Sequence, residues 1–169
     1  MAGRRIQFNP FDPSSIASAV RQVEKFREDV LKCCDETLNK LADMGVEFAQ
    51  SRVVAMKAFD TGILHDTIHA EHVSQGQRIS KVIADAPYAA YVEYGTGVMG
   101  KNQPHSEAGS AGWAYDVNGH GEAGWYYYDW GYGVWNWTKG MPARPYMYQT
   151  KLYLEQQAPD VAASIFRNP

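Results

Sequence analysis

Residues 84–97 read Ala84-Asp-Ala-Pro-Tyr-Ala-Ala-Tyr-Val-Glu-Tyr-Gly-Thr-Gly97, and they decide how the rest of the chain is organised. A β-like run, Arg78-Ile-Ser-Lys-Val-Ile-Ala84, enters this stretch and meets Pro87. The fixed φ and missing N–H of proline end ladder pairing and suit the first turn of a helix, so the strand is expected to stop here. About two helical turns over residues 88–94 put Tyr88, Tyr91 and Val92 on one face and point Glu93 elsewhere. Gly95 and Gly97 then supply the permissive backbone for a sharp exit.

Upstream, Asp12-Pro-Ser-Ser15 offers a cap residue followed by proline at the first helical position. Ile16, Val20, Val23, Val30, Cys34, Leu38, Leu41, Gly45 and Phe48 recur mostly at intervals of three or four, giving one apolar face to a long helix. Unbroken over residues 14–56, that helix is about 65 Å long. A compact domain of this size is about 40 Å across, from an expected radius of gyration of about 15 Å. Either the helix bends, most plausibly at Gly45, or it projects and packs on something outside its own domain, which favours an oligomer.

Asp60-Thr-Gly62 closes the helix, and residues 63–73 and 78–84 read as two strands of a hairpin joined through Ser74-Gln-Gly-Gln77. On a strand His65 and His69 share one side while His72 faces the other, a poor geometry for one metal. Residues 98–124 form a glycine-rich loop insertion in which His105, Glu107, Asp116 and His120 lack a rigid frame for ligation. The insertion is expected to order against a neighbouring subunit.

All five tryptophans lie between Trp113 and Trp137. Trp130, Tyr132 and Val134 fall on one side of an expected strand pair, with Trp135 and Trp137 opposite and Gly131-Tyr-Gly133 at the turn or bulge. Such density suits an interface, an internal core, or a platform for stacking sugars or bases. Met141-Pro-Ala-Arg-Pro145 leads into a last helix whose stripe runs through Met147, Leu154, Val161 and Ile165, with a kink or restart expected near Pro159.

A chain of 169 residues suits one domain, here 1–169, with a compact folded surface of roughly 8,000 Å². Its net charge of −3 disfavours generic nucleic-acid binding, although a local basic loop in passive contact with DNA escapes that test. No stretch reads as a signal peptide or a membrane span, so cytoplasmic synthesis is expected. Cys33 and Cys34 are helix neighbours whose side chains diverge, which speaks against a bridge. The sequence carries no Gly-x-Ser-x-Gly elbow, His-Glu-x-x-His, paired Cys-x-x-Cys or Walker lysine, so no catalytic, cofactor or metal residue is nominated and the chain is not expected to be an enzyme.

Pro87-Tyr-Ala-Ala-Tyr-Val-Glu-Tyr-Gly-Thr-Gly97, with Asp60-Thr-Gly-Ile-Leu64 before it and Met141-Pro-Ala-Arg-Pro-Tyr-Met147 after it, resembles the neck proteins of tailed bacteriophages and prophages. Those are head-to-tail joining or tail-completion proteins. The three blocks come in the family's order and, with the flanking helices, span residues 14–166. The resemblance implies a virion structural protein, assembled in the host cytoplasm. It implies a sixfold or twelvefold homo-oligomeric ring that terminates the tail tube or joins it to head-completion (adaptor) proteins. A ring needs two different patches that fit each other. The candidates are the long helix on one side and, on the other, the aromatic strands with the insertion. The nominated interface residues are Tyr88, Tyr91, Glu93, Tyr94, Trp125, Tyr127, Trp130, Tyr132, Trp135, Trp137 and Arg144. From a different class, a carbohydrate- or cell-wall-binding module would use the tryptophans as stacking surfaces. The expected fold is α+β: a long N-terminal helix, an antiparallel sheet with an aromatic-rich strand region, and a C-terminal helix over one face.

Overall fold

The computed structural model describes residues 5–58, 61–74, 77–116, 119, 122–129 and 131–167. Asp60, His120 and Trp130, which the sequence reading singled out, lie outside the described residues. The fold is α+β, with helix α1 (Pro13–Ala55), a helical turn α2 (Ile63–Asp66), strands β1 (Ile68–Glu71) and β2 (Lys81–Ala84), and short helices α3 (Ala89–Tyr94) and α4 (Gly97–Asn102). Strands β3 (Trp125–Asp129), β4 (Val134–Thr138) and β5 (Gly140–Met141) follow, and α5 (Tyr146–Phe166) ends the described chain.

Helix α1 begins as the sequence predicts, with Asp12 Oδ1 accepting the Ser14 N–H at 3.0 Å and Pro13 in the first turn. It does not break at Gly45. That glycine is buried where α1 meets two neighbours, and a Cβ there would stand 2.7 Å from Val82 Cγ2 and 3.0 Å from Leu154 Cδ1. Its missing side chain makes room for this close approach. Helix α5 runs antiparallel along the second half of α1. Tyr146 packs with Ala49 and Val53, Tyr153 stacks on Phe48 at 4.1 Å, and Leu154 lies against Gly45. The core centres here, adding Leu64, Ile68, Ala86, Ala89 and Val92. Leu64 and Ile68 are both 2 % exposed, and each such side chain contributes roughly 1.5–3 kcal/mol by leaving water.

Three expectations about the middle of the chain are corrected. The first strand is shorter than predicted, because residues 63–66 form a helical turn closed by Asp66 N–H to Gly62 O and by Thr67 Oγ1–H to Ile63 O. Only Ile68–Glu71 pairs with β2, in the register Ile68 with Ala84. The strands also form two separate two-stranded antiparallel sheets instead of one, β1-β2 and β3-β4. Lastly, much of the glycine-rich insertion orders on its own chain: residues 97–102 are helical, Gly97 donates its N–H to Tyr115 O at 2.7 Å, and Trp113 Nε1–H donates to Gly95 O at 2.9 Å. Pro159 lies inside α5, which runs through it without a restart.

The α1–α5 packing leaves two projections. Helix α5, about 32 Å long, covers only about half of α1, about 65 Å long. Cys33 is the first buried residue of α1, and almost every residue from 13 to 28 is exposed. The β3-β4 hairpin touches the body chiefly at its base, where Trp125 lies over Gly97 and Thr138 bonds Gly140. The accessible surface is 11377 Å², against the roughly 8,000 Å² expected of a compact chain of this mass. The molecule is therefore more extended than a sphere-like domain of its size.

Candidate functional site

The described nominated residues fall on the hairpin and in or around a buried polar knot, and the free end of α1 forms a second surface. The knot comes from the corner at 84–97. Glu93, on α3, is 7 % exposed and its carboxylate accepts the backbone N–H groups of Met147 and Tyr148, both at 2.9 Å. These are orphan donors of the first turn of α5, where Pro145 offers no side-chain cap. Glu93 thus caps a helix that starts 53 residues later in the sequence. His105 Nε2 lies 3.2 Å from Glu93 Oε1, and His105 Nδ1 accepts the Glu107 N–H at 2.9 Å. Since Nδ1 accepts, the ring hydrogen sits on Nε2 and is donated to Glu93. Burial pushes the Glu93 carboxyl above the ordinary glutamate value, against the two backbone bonds and His105, which pull it down. Burial also pushes the Tyr146 phenol up, with the negative charge of Glu93 adding to it.

This knot fastens three segments together. Tyr94 packs on both His105 (4.7 Å between ring centroids) and Trp113 (5.1 Å), and Tyr91 meets Trp113 at 5.7 Å. A cleft of about 380 Å³ lies beside it, lined partly by Tyr94, His105, Tyr148 and Lys151. Within it Lys151 pairs with Glu107 at 3.3 Å and Glu93 with His105 at 3.2 Å.

The first surface is the hairpin. Tyr126 pairs across the strands with Trp137 and Tyr128 with Trp135, at 4.7 and 5.4 Å between ring centroids and near edge-to-face. Strand alternation puts these four rings on one face, with Trp125 and Tyr127 on the other. Trp135 is 67 % exposed, Tyr126 64 % and Trp137 50 %. Tyr132 is at the turn, which Asp129 Oδ1 closes by accepting the Gly131 and Tyr132 N–H groups.

The second surface is the free end of α1, where Ile16, Val20, Val23 and Phe26 stay 40–54 % exposed. Residues 5–12 fold back beside it, with Asn9 N–H donating to Ser15 Oγ at 2.8 Å.

The nominated residues therefore divide. Tyr127, Tyr132, Trp135 and Trp137 are exposed on the hairpin, and Tyr91 is exposed on α3. Glu93 works inside the fold. Tyr88 packs against the core, Tyr94 stacks in the knot, Trp125 is half-buried at the hairpin base, and half-buried Arg144 donates its backbone N–H to Val92 O at 2.9 Å. Sequence reasoning missed His105 as the partner of Glu93, for the two are twelve residues apart across a glycine-rich stretch with no periodic signal. Each of the three upstream histidines has a carboxylate of its own: His65 with Asp66, His69 with Asp85 and His72 with Asp43. Among the described residues no group of histidines, cysteines and acids is placed to hold a metal ion, and no helix is long and apolar enough to cross a membrane. Cys33 and Cys34 are free thiols. Comparison with protein-family models, with curated proteins and with solved structures gave no match.

Proposed function

We propose that this chain is a structural protein of a tailed-phage neck or upper tail, acting as one subunit of a closed ring that ends the tail tube or joins it to head-completion proteins. The observations that carry the reading are an accessible surface about 3,000 Å² above that of a compact chain and two projections that both present apolar side chains. A subunit in a ring has two neighbours, and ordinary interfaces cover about 800 Å² on each partner, so two contacts take about 1,600 Å² per subunit. The surplus accommodates both, with area left for proteins stacked above and below. Heterologous contacts also require two unlike patches on one chain, which the helix end and the aromatic hairpin supply. The corner and Pro-rich blocks that resemble neck proteins, meanwhile, build the knot and the core, so the resemblance rests on residues that hold the subunit together.

Mass measurement on assembled particles tests this. Six or twelve copies at one level of the particle support it, and a monomer refutes it. A second reading, glycan binding, draws on the exposed ladder of Tyr126, Trp135 and Trp137, since flat rings with polar edges suit sugar faces. Glycan-array binding that Trp135→Ala abolishes favours it; loss of tail attachment by a folded Trp135→Ala chain favours the ring.

A further inference from the structure

We propose that the groove between β2 and the start of α5 receives residues 5–8 of a second copy of this chain, added as a strand along the open edge of β2. This rests on the ring reading and names one contact between its subunits. Thr67 O accepts the Asp85 N–H, which fixes the phase of the β1–β2 ladder. Lys81 and Ile83 therefore bond across to β1, and the N–H and C=O groups of Val82 and Ala84 point away from it. Among the described residues no other backbone group pairs with those four. Beside this edge runs a groove in two parts that share Met147 and Lys151. One part, about 350 Å³, is lined by Leu38, Leu41 and Ala42 of α1 with Val82 and Leu154. The other is the cleft of about 380 Å³ beside the knot, with Ala84 and Ala89 in its lining.

The open edge selects an extended occupant. A helix uses its backbone groups internally and leaves such an edge unsatisfied, whereas a strand pairs with it and sends every second side chain into the groove. Arg5-Ile6-Gln7-Phe8 has that alternation, lies outside helix and strand, and makes no backbone–backbone hydrogen bond among the described residues. Phe8 keeps 56 % of its surface. With Ile6 and Phe8 turned toward Leu38 and Leu41, Arg5 and Gln7 turn outward. There Glu107 and Glu155 outnumber Lys151 on the rim, and Arg5 supplies the balancing positive charge. Chain reach makes the donor another copy. Fully extended, residues 5–12 span at most about 29 Å, and Leu38 lies about 37 Å along unbroken α1 from Pro13, so residues 5–8 cannot enter their own groove. A second β2 is walled by its own α5, and β3 and β4 carry large rings on both faces, so the arm is the better guest. Because arm and groove are different patches, each copy gives its arm to one neighbour and receives that of the other, the arrangement that closes a ring.

The test replaces Phe8 by the photo-reactive aromatic p-benzoyl-phenylalanine in assembled protein made from a mixture of ¹⁵N-labelled and unlabelled chains, and in a second preparation places the same group at Glu155. From position 8, most crosslinks are expected in residues 38–42, 80–84 and 147–155, joining labelled to unlabelled chains. From position 155, most are expected in residues 5–8 of a neighbour. Phe8→Asp, at an exposed position and with folding checked by circular dichroism, is expected to lower ring yield at least about tenfold. Crosslinks from position 8 that fall mostly elsewhere or stay within one chain overturn this contact while leaving the ring reading in place. So do crosslinks from position 155 to residues 125–138 or to a different protein, and so does full ring yield from Phe8→Asp. Wild-type protein that stays monomeric in particles overturns both.

Discussion

Removing the Glu93 carboxylate should loosen the whole C-terminal half. In Glu93→Ala the Met147 and Tyr148 N–H groups lose the acceptor that caps α5, and the His105 Nε2–H is left unpaired in the interior. Loss of a helix cap typically costs about 1 kcal/mol, and a stranded buried donor about 1–3 kcal/mol, so a loss of about 3 kcal/mol is expected. Glu93→Gln keeps the shape and one acceptor but turns an NH₂ toward a donor, and should lose less, about 1–2 kcal/mol. Urea unfolding of dilute monomer at pH 7, followed by tryptophan fluorescence, reads both; at a slope of about 2 kcal/mol/M the Ala midpoint falls by about 1.5 M. The pH dependence gives a sharper check. Burial raises the Glu93 carboxyl above its ordinary 4.5 in the folded chain, so the folded state holds that proton more tightly than the unfolded one. The stability this contributes is complete below about pH 4.5 and is lost as pH rises through the raised value. Glu93→Gln has no such proton, so the advantage of wild type over it should shrink across that window. An Ala variant within about 0.5 kcal/mol of wild type, or an advantage over Gln that grows with pH, would refute the account of this group.

Three further outcomes follow from the same geometry. Gly95→Ala places a Cβ 2.7 Å from Ala143 N and 2.8 Å from Met141 O at a φ of +78°, and should cost at least about 2 kcal/mol in urea unfolding, because the obstacle is backbone and the angle disfavours a side chain. Pro159→Ala should stabilise by about 1–3 kcal/mol, restoring a helical N–H at an exposed position, with a higher thermal midpoint as the readout. Trp135→Ala should change monomer stability by no more than about 1 kcal/mol, since among the described residues its ring pairs with Tyr128 and is two-thirds exposed, yet reduce assembly in sedimentation analysis.

The outer helices were legible because their signals are local: Asp12-Pro13 at the start of α1, the three-and-four spacing through Phe48, and Pro145 before α5. The corner was legible for the same reason, with Pro87 and Gly95 bracketing α3. What the residues could not give was position in space. Gly45 is a helix-breaker by propensity, and only the arrival of Val82 and Leu154, 37 and 109 residues away, makes it a packing residue. The reading of 98–124 as loose rested on glycine content, whereas His105 and Trp113 are fastened by Glu93 and Gly95 from across the corner. Glu93 itself is nominated from the sequence as an interface residue, and nothing near it in the chain identifies its actual partner, the start of α5.

The unbroken run of α1 has a mechanical consequence. One rod is clamped in the core over its second half and free over its first, so it acts as a lever arm about 25 Å long. A tilt of the body by a few degrees swings the tip by about 2 Å, comparable to the helix shifts by which interfaces change state. If neighbours grip that tip, strain at one seam passes to the adjoining body as rotation, and such an assembly would widen or narrow in concert instead of one joint at a time.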